Sequence, residues 1–61
     1  MKMVKLAEIR KSKGLTQTEL AKILGCKKST ISDYERGERQ PNLEKLQNLA
    51  KALDCTVNDL I

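Results

Sequence analysis

Histidine is absent from this 61-residue chain, and its two cysteines, Cys26 and Cys55, stand far apart. Neither a Cys/His zinc site nor histidine-based proton transfer can be built from such a set. A nucleophile with an adjacent base and an orienting group is missing, and no glycine-rich phosphate loop follows a strand. An enzyme is therefore excluded, and no cofactor, metal or small-molecule ligand is implied. Two cysteines are also too few for a disulfide framework, so both are read as small buried hydrophobes. What remains is the chemistry of charge. Twelve Lys and Arg face eight Asp and Glu, for a net +4. The excess belongs to the N-terminal two-thirds: residues 1–13 carry +4, residues 14–40 carry +1 and residues 41–61 carry −1. That distribution suits a polyanionic partner.

The elements that must position those charges are short. One domain of this length lies near the lower limit for unaided folding. Its core must be aliphatic, because Tyr34 is the single aromatic residue. Nothing approaches the ~18 consecutive apolar residues of a membrane span. Charges at Lys2, Lys5, Glu8 and Arg10 break any signal-peptide pattern, so a soluble cytoplasmic protein is expected.

Gly14, Gly25 and Gly37 each follow an apolar stretch with helical spacing, and each reads as a stop signal. The first helix is expected from about Val4 to Lys13, with Leu6 and Ile9 on its stripe and Met3 near its start. Thr16 followed by Glu19 makes a capping box for the second, whose apolar face is Leu20, Ile23 and Leu24 beside Ala21. A third covers about Lys28 to Arg36, with Ile31 and Tyr34 inward. Residues 37–42 form a polar loop holding the one proline, and Asn42 caps a fourth helix that carries Leu43, Leu46, Leu49, Ala50 and Leu53. Asp54 ends it, and Thr56 to Asp59 opens a fifth. No strand alternation, internal repeat or low-complexity segment is present. The fold class is all-α, five short helices in a single domain over residues 1–61.

Residues 16–37 are the informative unit. Two helices joined by a tight turn at Gly25 must cross steeply, because antiparallel packing needs a longer loop. Ala21 supplies a small residue for the close approach, and Ile31 an apolar residue to lock the angle.

From Leu15-Thr-Gln-Thr-Glu-Leu-Ala-Lys-Ile-Leu-Gly to Ser29-Thr-Ile-Ser-Asp-Tyr-Glu-Arg-Gly, this unit resembles the helix-turn-helix of the Cro/xenobiotic-response-element family. That family includes the lambda-repressor-like DNA-binding domains. The likeness continues through Pro41-Asn-Leu-Glu-Lys-Leu and into Thr56-Val-Asn-Asp-Leu, so it covers essentially the whole chain.

The resemblance implies a sequence-specific regulator that binds double-stranded DNA through the major groove with its third helix. The outward positions there are Lys28, Ser29, Ser32, Asp33 and Arg36. Lys28 suits guanine O6 and N7, Asp33 suits the cytosine amine, and the two serines are ambiguous readers. Phosphate contacts are expected from Thr16, Gln17, Lys27, Thr30, Arg39, Gln40 and Asn42, with the second helix offering backbone N–H groups to an anion. Arg10 and Glu35 match a family pair that ties helix 1 to helix 3.

Three departures from the family pattern stand out. Lys27 replaces a capping Ser or Thr, cannot accept that hydrogen bond, and puts a cation at the positive end of the helix dipole. Cys26 and Cys55 stand where Val is common. Asp54 stands where Gly is usual, which predicts a strained turn.

Modules of this size gain too little affinity from one recognition helix, so a homodimer acting as a repressor on a palindromic site is expected. Val57, Leu60 and Ile61, or the 37–42 loop, are its expected contact surfaces. The competing reading is a protein-interaction module that keeps the fold without specific DNA binding. Asp33 and Glu38 near the third helix favour it, and it predicts little change of affinity with salt.

Overall fold

The computed structural model describes residues 5–61. Five helices follow in chain order: α1 (Leu6–Ser12), α2 (Gln17–Leu24), α3 (Lys28–Arg36), α4 (Leu43–Ala52) and α5 (Val57–Leu60). Among the described residues there is no strand. The expected start of α1 at Val4, with Met3 beside it, lies outside them.

Local chemistry explains each boundary. Thr16 accepts a hydrogen bond from the Glu19 backbone N–H at 3.1 Å, and the Glu19 carboxylate accepts one from the Thr16 N–H at 2.9 Å. Two otherwise orphaned donors at the start of α2 are thus satisfied reciprocally. Thr56 and Asp59 repeat the arrangement at α5, and Asn42 Oδ1 accepts from the Lys45 N–H at 2.9 Å to open α4. Gly25 and Gly37 close α2 and α3 with φ of 68° and 76°, a region that a side chain makes costly. Asp54 adopts φ of 52°, as its place after α4 requires, and is the one non-glycine residue in that region among those described. Such a residue typically stores on the order of 1 kcal/mol of strain.

The core lies where α2 meets α3 and α4, closed by α1 against α3 and by α5 against α4. Leu6, Leu20, Ile31, Leu49, Leu53 and Leu60 are wholly buried there, with Ala21, Ala50 and Tyr34 between them. Removing each large aliphatic side chain from water contributes about 1.5–3 kcal/mol. Tyr34 pays for burial at its hydroxyl: desolvation pushes its pKa above the usual tyrosine value.

Several core assignments are corrected. Ile23, placed on the apolar face of α2, is 57% exposed. At about 100° per residue it lies roughly 110° from the centre of the stripe formed by Leu20, Ala21 and Leu24. Leu43 is 67% exposed because it opens α4 one turn before Leu46 reaches the core. Cys26 and Cys55 are half-buried at the edge of the core and not enclosed by it, and both are free thiols. Burial still raises the Cys55 pKa above the ordinary thiol value, which favours the protonated thiol. Leu60, expected at a dimer surface, is wholly buried within the single chain.

Candidate nucleic-acid interface

Helix α3 has two faces with opposite duties. Inward, Ile31 and Tyr34 enter the core, and Glu35 meets Arg10 of α1. Arg10 Nε donates to Glu35 Oε2 at 2.6 Å, and Nη2 reaches Oε1 at 3.4 Å. The remaining guanidinium nitrogen, Nη1, donates to the Leu15 carbonyl at 2.7 Å, so all three nitrogens of Arg10 are engaged. Gln17 Nε2 donates to the same carboxylate at 2.9 Å. Glu35 therefore ties α3 to the end of α1 and to the first residue of α2. Both members of the ion pair are almost enclosed, with side chains 8% and 10% exposed.

The Arg10–Glu35 pair is the one the family resemblance implies, and Gln17, which the resemblance assigns to phosphate, joins it as a third member. An uncharged glutamine one residue past a cap carries no periodic or charge signal that would place it there. Gln17 remains half-buried, with one amide hydrogen and its carbonyl uncommitted to Glu35.

Outward, α3 presents a continuous polar surface. Lys28 and Ser29 are exposed in the first turn, Ser32 and Asp33 are half-buried in the second, and Arg36 is exposed in the last. The structure links three of them: Arg36 Nη1 donates to Ser32 Oγ at 2.6 Å, and Nη2 to Asp33 Oδ1 at 2.7 Å. Glu38, just past the helix, accepts from the same Nη2 at 3.0 Å. Arg39 Nε stands 3.8 Å from the second Asp33 oxygen.

Of the residues expected at phosphates, Thr16 and Gln17 lie close to the start of α3. Lys11, Gly14, Thr16, Gln17, Thr18 and Lys28 line an open groove at the start of α2, which brings that N-terminus beside the start of α3. Thr16 uses its hydroxyl oxygen to cap; Asn42 caps through its carbonyl oxygen and keeps its amide hydrogens. Lys27 is exposed at the N-cap of α3, and no side chain caps that helix. The Thr30 N–H of its first turn donates to the Lys27 carbonyl at 3.0 Å, and the helix dipole at that end favours an anion. Thr30 is half-buried, while Arg39 and Gln40 are exposed in the loop after α3. No group of three His, Cys, Asp or Glu among the described residues could hold a metal ion, and no helix among them is long and apolar enough to cross a membrane.

The Helix-turn-helix family matches residues 6–60. The HTH-type transcriptional regulator AnsR of Bacillus subtilis is 41% identical over the whole chain, which covers 53% of that protein. Repressor protein C2 of Salmonella phage P22 is 40% identical over 85% of the chain and 24% of its own length. The chain thus spans about half or less of the length of these two relatives. Among solved structures, the P22 c2 repressor in complex with a synthetic operator gives a TM-score of 0.89 at 35% identity, over 100% of this chain and 94% of that one. The restriction-modification controller protein C.AhdI from Aeromonas hydrophila gives 0.87 at 38% identity, over 95% and 88%. With its capped α2, its Gly25 turn and its tethered α3, the chain belongs to the Cro/xenobiotic-response-element family of helix-turn-helix domains, with the lambda-repressor-like fold.

Proposed function

We propose that the chain is a sequence-specific regulator of transcription that binds double-stranded DNA, acting as a dimeric repressor on a palindromic operator. The observation that carries this reading is the outer face of α3, polar throughout and held at a fixed angle by Glu35, in a domain whose likeness to an operator-bound repressor extends over its full length. Such a face fits the major groove, where each base pair shows a distinct pattern of donors, acceptors and methyl groups.

In this reading Lys28, Ser29 and Ser32 address base edges directly, and Asp33 and Arg36 act as a linked unit beside them. Thr16, Gln17, Lys27, Thr30, Arg39, Gln40 and Asn42 contact the phosphates on either side and set the register. The half-free amide of Gln17 is suited to this, since Gln17 lines the open groove together with Lys11 and Lys28. A dimer would use Ile61, which is exposed at the C-terminus, with half-buried Val57, or the 37–42 loop; Leu60 is spoken for by the core. The site of action is the cytoplasm, where the DNA lies.

Selection from random duplex DNA at near-physiological salt tests this reading. An inverted repeat with half-sites about one helical turn apart is the expected product. Recovery of no preferred sequence would remove the operator-reading function and favour a protein partner for the same face.

A further inference from the structure

Arg36 should be the strongest base reader on α3, yet its donors are already taken. A guanidinium offers two two-pronged faces, Nε with Nη2 and Nη1 with Nη2, and both include Nη2. Here Nη2 donates to Asp33 at 2.7 Å and to Glu38 at 3.0 Å, which uses both of its hydrogens. Bidentate recognition of guanine O6 and N7, or of a phosphate, therefore requires one carboxylate to let go. Asp33 is the better placed of the two. Its side chain is only 24% exposed and it also faces Arg39, whereas Glu38 is 63% exposed on a loop.

We propose that Asp33 and Glu38 form a carboxylate clamp that withholds Arg36 from nonspecific phosphate and releases it to a base that outcompetes them, so that the clamp sets the ratio of specific to nonspecific DNA binding. This rests on the DNA-binding reading above, and it recasts Asp33 as a positioning residue for Arg36 in place of a reader of cytosine. The pairing is local and exposed, so its effect is modest in size but acts on every nonspecific site. Any phosphate must displace at least one of the two carboxylates to gain a two-pronged contact with Arg36. A guanine edge in the right register gains its neighbours' contacts at the same moment, and so meets a smaller net barrier.

The test is a double-mutant cycle on the full chain, read as affinity for a random-sequence duplex across a range of salt concentrations. Asp33→Asn should raise that affinity about fivefold, the ceiling for one exposed pair. It should also steepen the slope of log K against log salt by about one unit, as one added phosphate contact requires. Glu38→Gln should act in the same direction and less. In an Arg36→Gln background Asp33→Asn should change affinity less than about twofold, as should Asp54→Asn in the native chain, which removes the same charge behind α4.

Equal gains with and without Arg36 would overturn the clamp, because simple loss of negative charge would then explain them. A loss of affinity in Asp33→Asn confined to one base pair of the selected site would overturn it too, in favour of direct reading by Asp33. If the native chain shows no salt-dependent affinity for any duplex, it is the DNA-binding reading that fails, and the clamp falls with it.

Discussion

Helix α3 carries two arginine–carboxylate clusters that are alike in chemistry and opposite in setting. On the inner side, Arg10 and Glu35 are almost enclosed and every guanidinium nitrogen of Arg10 has a partner. On the outer side, Arg36 meets Asp33 and Glu38 with side chains 55%, 24% and 63% exposed. Water and salt screen the outer cluster, so its partners exchange at little cost. The inner one loses more if broken than it gains by forming, since removal of one member strands the other's charge away from water. Similar residues thus serve one helix as a fixed strut and as an exchangeable surface.

The largest expected effect breaks that contrast directly. Glu35→Ala should destabilise the domain by about 3 kcal/mol, because Arg10 is left buried and unpaired. Arg36→Ala should cost less than about 0.5 kcal/mol. Urea unfolding followed by circular dichroism measures both; equal losses would show that burial does not separate the two clusters.

A second comparison sharpens the division between reading and positioning. Lys28→Ala should cost roughly 1–3 kcal/mol on the best DNA site and relax preference at one base pair. Gln17→Ala should weaken all sequences alike, since Gln17 belongs to the strut and to the proposed phosphate side. Binding titrations against a set of single-base operator variants distinguish them. A loss after Lys28→Ala that is the same for every variant would make Lys28 a phosphate contact.

How far these features could be read from the sequence differs by cluster. Arg10 and Glu35 were legible because a motif spanning the whole chain fixes which residues of α1 and α3 face each other. The helix limits were legible because Thr16, Asn42 and Thr56 cap, and glycines stop, by local chemistry alone. Ile23 was misplaced because an eight-residue helix makes barely two turns, too few to define the edge of its apolar stripe. Leu60 was misplaced because apolar residues near a short chain's end serve core and interface equally well by type. The outer cluster was illegible for a different reason: spacing puts Asp33 and Arg36 within reach, but rotamers decide whether they pair with each other or with solvent.

Lys27 links stability to function on the outer side. Replacing it by Ser supplies the missing N-cap of α3, and should raise stability by about 1 kcal/mol. The same change removes a cation from the proposed phosphate side, so affinity for all duplexes should fall. Thermal unfolding and DNA titration of one variant decide both; a rise in stability without loss of affinity would mean Lys27 does not face the phosphates.

The smallest effect concerns pH. Hydrogen bonds from the Thr16 backbone and side chain hold the Glu19 carboxyl below its usual pKa, and Thr56 does the same for Asp59. The folded state therefore favours both carboxylates, and their contribution is complete at neutral pH. It is lost as pH falls below the ordinary carboxylate range, about pH 4. Glu19→Gln should flatten the fall in melting temperature between pH 5 and pH 3 relative to the native chain, as scanning calorimetry would record.

The outer face of α3 and its flanking helix ends are proposed as the DNA interface. Titrating an isotope-labelled chain with duplex DNA, and following each backbone amide by NMR, tests this most directly. Shifts concentrated in residues 16–18, 27–33, 36 and 39–42 are expected, with the exposed surface of α4 from Gln47 to Lys51 unchanged. Shifts centred on α4 and α5, with α3 silent, would contradict it.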